Sequence, residues 1–234
     1  MSEAISLECM KGVCAIFDDE VKDSSSKAAA IAGHLDSLGF PCLRYEQPPT
    51  KVHSLDSLAS CSFFFLDWKF GSENSSLGGS QGLLDAAIVE SIKALHAVKH
   101  APIFVFTQDD SESLKERVEA LDPAAAQHAI FCRKDDVSPE SSEAIADRLA
   151  SWLNDQLGAH VFFVWQSQLR SAINSLSRKL LASDKNWPAL LAVAHHEDKV
   201  PPESAISEML GTVVMNRVGA LDLSLGLEAK LGRQ

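Results

Sequence analysis

The chain has 234 residues, 46% apolar, 23% charged and 7% aromatic, a profile of ordinary globular proteins with room for two domains. Its net charge of −11 opposes nucleic acid or an anionic lipid surface as the main partner, because both need a basic face. The longest apolar runs, such as Val161–Trp165 and Ile103–Phe106, are too short to cross a membrane, and the opening MSEAISLECM lacks the basic flank and apolar stretch of a secretory signal.

Short apolar runs alternate with amphipathic ones along the first two thirds of the chain. Val13–Phe17 reads as a buried strand, followed by a helix over Ser26–Leu38 with Ala28, Ile31, Leu35 and Leu38 at helical spacing and Gly39 as its stop. Cys42–Tyr45 is a second strand and Val52–Ala59 a short helix. Ser62–Leu66 is a third strand, followed by a helix marked by Leu83, Leu84, Ala87, Ile88, Ile92 and Leu95. Pro102–Phe106, a helix over Ser111–Leu121, and Ala129–Cys132 come next. Pro139–Leu157 is the last helix of the series, with Ser138 as N-cap and Pro139 in its first position.

Five strands alternating with five helices predict an α/β fold with a five-stranded, parallel, doubly wound sheet. A boundary is expected near Gly158, giving a first domain over 1–158 and a helical region over 159–234. Charge changes there as well. Residues 1–159 carry 13 Lys/Arg against 25 Asp/Glu, a balance of −12, whereas residues 160–234 carry 8 against 7.

In a doubly wound sheet the functional crevice lies beyond the carboxyl ends of the strands. The first strand ends in Asp18-Asp19, the third in Asp67, the fourth in Thr107, and Lys134 follows the fifth. Two carboxylates about 4 Å apart repel by about 4 kcal/mol at an effective dielectric near 20, so this acidic trio calls for a counter-ion. Oxygen ligands in a partial shell suit Mg²⁺, and Lys134 adds a second positive charge.

The pattern resembles the receiver domain of two-component response regulators over roughly residues 11–157. Asp18 and Asp19 match the family's acidic pair, and Asp67 in FFFLDWKF matches its phosphoryl-accepting Asp. Thr107 in IFVFTQDD and Lys134 in IFCRKDD match its hydroxyl and its Lys, and Phe131 takes the place of its aromatic switch residue, or serves equally as a core aromatic. LGGSQGLL is similar to the turn that opens the family's third helix.

The resemblance implies a flavodoxin/CheY-like fold with strand order 2-1-3-4-5 and an aspartyl phosphate on Asp67. It further implies Mg²⁺ held by Asp18, Asp19, Asp67 and the Lys69 backbone carbonyl, with Thr107 and Lys134 contacting the phosphoryl group and Asp67 and Lys134 carrying the transfer. The expected donor is a histidine kinase or phosphotransfer protein, in a bacterial-type cytoplasm. Asp135 stands where many receivers carry Pro, and 40 residues separate Asp67 from Thr107, longer than usual for the family. An adaptor that keeps the fold without phosphorylation is the competing reading.

Other chemistry is weaker. Gly78-Gly79-Ser80-Gln81-Gly82 has no following P-loop lysine, and Lys69 occupies the place where a dehalogenase-type phosphatase needs a second carboxylate. His195 and His196 are adjacent, hence about 100° apart on a helix, and read as a polar helix end with Glu197 and Asp198 rather than a metal site. The five cysteines are scattered, without a C-x-x-C pair, and read as reduced packing residues.

The remainder is helical in pattern and carries no recognised catalytic motif. Phe162, Trp165, Leu169, Ile173, Leu176 and Leu180 form a narrow seam expected to drive association, most simply as a homodimer, within a partner-binding region over 160–218. A short helix over Trp187–Ala194 follows, then an amphipathic helix over Ile206–Val218 ended by Gly219, which is the rival cover for the seam. Leu221, Leu223, Leu225 and Leu227 alternate like a strand. Arg217 is the single basic residue of Pro201–Ala220, against a DNA-reading helix.

Overall fold

The structure, a computed structural model, describes residues 7–52, 55–69, 81–108, 110–137, 142–194 and 201–218. The Gly71–Ser80 loop, the Ser138–Pro139 helix start, His195–Asp198, Gly219 and the Leu221–Leu227 alternation lie outside the described residues. The chain divides into two compact units, Met1–Gln156 and Leu157–Gln234.

The first unit contains β1 (Cys14–Phe17), α1 (Lys27–Ser37), β2 (Cys42–Tyr45), β3 (Phe64–Asp67), α2 (Gln81–Val98) and β4 (Ile103–Thr107). It continues with α3 (Ser111–Leu121), α4 (Pro123–Gln127), β5 (Ala129–Arg133) and α5 (Ser142–Asp155). The five strands form one parallel sheet, as the alternation of elements predicts, in the order β2-β1-β3-β4-β5 that the resemblance implies.

Burial separates the inner strands from the edge strands. β1, β3 and β4 are buried at every position, so they need neighbours on both sides and layers on both faces. β2 and β5 are partly exposed and take the two edges. At the centre, Phe65 stacks on Phe104 at 4.9 Å and on Phe106 at 4.8 Å, with Phe63 edge-on at 5.5 Å. Aromatic pairs in such geometries add about 0.5–1.5 kcal/mol beyond area burial.

Local signals set the helix ends. Ser26 accepts from the Ala29 N–H to cap α1, and Gly39 beyond it has φ +86°, the left-handed conformation glycine adopts without a steric penalty. Asp110 caps α3 by accepting from the N–H groups of Glu112 and Ser113.

Several boundaries differ from expectation. The segment expected as a helix over Val52–Ala59 is a 3-10 turn over Leu55–Ser60. β3 and β4 each run one residue further, so Asp67 and Thr107 are the last residues of their strands. α4 is an additional helix, capped by Asp122 with Pro123 in its first turn. Gly158 does not end a helix: α5 stops at Asp155, and Gly158 lies inside the next helix.

The second unit contains α6 (Leu157–Ser183), α7 (Trp187–Ala194) and α8 (Pro202–Val218), with α8 packed on both others. Ala205 of α8 is buried, and Ile206, Met209, Leu210, Val213 and Val214 are half-buried. On α6, Trp165, Leu169, Leu176 and Leu180 are half-buried and Ala172 beside them is buried. Phe162 and Ile173, on the other margin of that seam, remain 57% and 45% exposed. No helix among the described residues is long and apolar enough to cross a membrane.

Candidate functional site

The strand order places the carboxyl ends of β1 and β3 side by side, with β2 beyond β1 and β4 beyond β3. That reversal is where a doubly wound sheet opens its crevice. Asp18 directly follows β1, and its backbone N–H extends the ladder by donating to the Tyr45 carbonyl at 3.0 Å. Asp67 closes β3, where the Trp68 N–H donates to the Phe106 carbonyl at 3.1 Å. Thr107 closes β4 opposite Arg133 of β5, so the next residue, Lys134, is delivered to the same edge.

Four of these side chains are almost fully buried: Asp18 at 1%, Asp67 at 6%, Thr107 at 0% and Lys134 at 5% exposure. Lys134 Nζ stands 2.7 Å from Asp18 Oδ2 and 3.2 Å from Asp67 Oδ1, one ammonium shared by two carboxylates. The Glu20 N–H donates to Asp18 Oδ1 at 2.9 Å and fixes that carboxylate from its other side. Asp19 is exposed, yet one of its carboxylate oxygens lies within 4.8 Å of oxygens of both Asp18 and Asp67.

The electrostatics follow from burial. Desolvation pushes the Asp67 carboxyl up to about 6; Lys134 pulls it down, and Asp18 and Asp19 push it further up. For Lys134, burial works against the ammonium, but Asp67 and Asp18 outweigh it and hold its pKa above the ordinary lysine value. Among the described residues, three carboxylates and one ammonium thus gather at this edge of the sheet.

An octahedral Mg²⁺ shell of radius about 2.0–2.1 Å spaces adjacent oxygens about 3 Å apart and opposite ones about 4 Å. Three carboxylate oxygens within 4.8 Å of one another fit part of such a shell, with water completing it. Lys69, the residue expected to add its backbone carbonyl, lies in the turn two residues beyond Asp67, at the same strand end. Phe131 is half-buried on β5, in register with Val105 of β4 and three residues before Lys134. Asp135, where many receivers have Pro, pairs with Lys27 of α1 and lies 3.7 Å from Arg133.

One neighbouring group escapes sequence reasoning. Arg117 of α3 lies over the Trp68 ring at 5.1 Å and pairs through Nε with the buried Asp85 of α2 at 3.2 Å. It therefore ties the residue after Asp67 to two helices. Asp85 and Arg117 are 32 positions apart on different helices, so no spacing announces their meeting.

Cys14, Cys61 and Cys132 are buried as packing residues, whereas Cys9 and Cys42 are half-buried. All five are free thiols, and burial pushes Cys61 up to about 11 and Cys132 up to about 12, well outside the range of a reactive thiolate. No protein-family model, no curated protein and no solved structure matches the chain.

Proposed function

We propose that the first unit is a phosphoryl-accepting switch of the response-regulator kind, with Asp67 as the acceptor. The reading is carried by one observation: Asp18, Asp67 and Lys134 meet, buried, at the carboxyl ends of their strands in a sheet ordered 2-1-3-4-5, with Asp19 and Thr107 at the same edge.

In this reading an Asp67 carboxylate oxygen attacks the phosphorus of a phosphohistidine on a histidine kinase or phosphotransfer protein. A P–O bond forms, the P–N bond breaks, and the departing imidazole takes up a proton. Mg²⁺ held by Asp18, Asp19 and Asp67, with the Lys69 carbonyl, would supply neutralisation of charge on the phosphoryl oxygens. Lys134, already charged and 3.2 Å from Asp67, exchanges part of its carboxylate pairing for a phosphoryl oxygen. Thr107 donates its hydroxyl to that group, and Phe131 turns toward the space Thr107 vacates. The added charge of about −1.5 to −2 thereby changes the loops around Thr107.

The helical unit is the output in this proposal. Exposed Phe162 and Ile173 offer the surface for a second copy or another protein in a bacterial-type cytoplasm. The test is incubation with Mg²⁺ and a small phosphodonor, followed by intact-mass measurement. A single phosphoryl adduct that disappears in Asp67→Asn is the expected result, and an adduct that persists in that variant overturns the assignment.

A second reading has its own support. The Asp18–Lys134–Asp67 group already pairs its buried lysine, as a phosphate-independent adaptor would require. Such an adaptor has no need for metal, so absence of Mg²⁺ binding at neutral pH selects it.

A further inference from the structure

Three histidines converge at the end of the sheet opposite the acidic group. His96 lies in the last turn of α2, His100 in the link to β4, and His128 between α4 and β5, so all three gather where β4 and β5 begin. His96 Nε2 is 3.1 Å from His100 Nδ1, and the His96 and His128 rings stack at 3.6 Å and 17°. One ring nitrogen from each lies within 4.8 Å of the other two.

A tetrahedral ion with metal–nitrogen bonds of about 2.0–2.1 Å spaces its nitrogens about 3.3 Å apart. The His96–His100 pair is close to that spacing at 3.1 Å, and a His128 ring nitrogen lies within 4.8 Å of one on each of the others; coordination by all three requires the His128 ring to turn out of its stack on His96. Neutral imidazole is the ligating form. A cavity of about 140 Å³ opens beside the cluster, lined by His100, Ala101, Gln127, His128, Trp152 and Gln156. Two of the three histidines, His100 and His128, line it, so it is the route by which water or a small ligand would reach a bound ion.

We propose that His96, His100 and His128 form a site for a first-row divalent transition metal, Zn²⁺ foremost, with water or a small ligand from the cavity in the fourth position. Imidazole donors suit zinc, copper and nickel, whereas the all-oxygen group at the other strand ends suits Mg²⁺. The two sites differ in chemistry and share no residue, so this one stands whether or not Asp67 is phosphorylated. Bound metal would clip the end of α2 to the starts of β4 and β5.

The experiment is a calorimetric titration of the full chain with Zn²⁺ in saturating Mg²⁺, repeated with Co²⁺ while recording its visible spectrum. One ion per chain is expected, with the intense visible bands of tetrahedral Co²⁺. Loss of one ligand should cost at least the roughly 10–100-fold seen for groups that merely support a ligand, so His100→Ala and His128→Gln should each weaken binding by that much or more. His100 is exposed, which makes His100→Ala the variant that keeps its fold; thermal melts without metal check both. Cu²⁺ should quench Trp152, whose ring lies 5.8 Å from that of His100, and Trp152→Phe should remove that part of the quenching. Asp67→Asn and the paired His195→Ala, His196→Ala variant should bind Zn²⁺ as wild type does. Absence of Zn²⁺ binding, or binding undiminished when His96, His100 and His128 are all alanine, overturns the proposal, as does binding that follows Asp67 or His195 and His196.

Discussion

Asp18 and Lys134 lie 116 positions apart in sequence and meet at 2.7 Å, both nearly inaccessible to water. Their contact joins the end of β1 to the end of β5. Removing one partner of a buried ion pair leaves an uncompensated charge and costs about 3–5 kcal/mol. Lys134→Ala should therefore lower stability by about that amount in urea unfolding at pH 7. The penalty should shrink near pH 5, where Asp67 takes up a proton. An equal penalty at both pH values would mean that Lys134 acts through packing alone.

Asp67 runs the other way. Its carboxyl is raised from 3.8 to about 6 in the fold, so the folded state binds a proton more tightly than the unfolded one. Stability from this group is full below pH 4 and is lost as pH rises through 6, a loss of about 3 kcal/mol at 1.36 kcal/mol per pKa unit. Asp67→Asn, which mimics the protonated carboxyl, should stabilise the metal-free protein by up to about 3 kcal/mol at pH 7 and by almost nothing at pH 4. Melting curves in EDTA at the two pH values check both sign and window.

The proposed Mg²⁺ site needs the same carboxylate ionised. With its pKa at about 6, Mg²⁺ affinity should fall about tenfold between pH 7 and pH 5, and binding at pH 6 should release protons. Calorimetry in buffers of different ionisation enthalpy measures that release directly. An affinity flat across this range would place Mg²⁺ away from Asp67.

Thr107 and Lys134 should differ in kind. Thr107→Ala should leave the phosphoryl adduct intact and uncouple it from any change in association, whereas Lys134→Ala should weaken the adduct's formation. Mass measurement paired with light scattering separates the two. Wild-type behaviour of both variants in both measurements would favour the adaptor.

On the helical unit, Ile173→Glu should abolish self-association with little change in melting temperature, because Ile173 is already 45% exposed. Ala172→Glu, on the covered side of the same helix, should destabilise the protein instead. A wild type that is monomeric at high concentration, with or without a phosphoryl mimic, removes the homodimer.

The sheet is legible because β1, β3 and β4 are unbroken apolar runs whose ends are marked by charge or hydroxyl, as Phe63–Leu66 before Asp67 shows. The same runs hide their last residue, since Asp67 and Thr107 are polar yet still belong to the ladder. α4 carried a visible signal in Asp122-Pro123, a capping residue followed by proline, which five residues of helix make easy to pass over. The histidine cluster shows in sequence only as the four-residue step from His96 to His100, and His128 joins it through the strand order. Gly158 illustrates a limit of local reading: nothing near it separates a helix stop from a residue inside a 27-residue helix.

Among the described residues β2 has no outer neighbour, which bears on pairing between chains. A strand with no outer neighbour presents backbone groups that can pair with another chain and seed aggregation. Asp36 of α1 accepts from the Cys42 N–H at 2.8 Å and pairs with Arg44 at 2.8 Å, so one side chain both occupies an edge donor and anchors a charge on the strand. Leu43 between them is 39% exposed, and without that guard it would sit on a sticky border. Asp36 thereby occupies one outward-facing backbone donor and holds a charge against the strand, two features that disfavour edge-to-edge pairing.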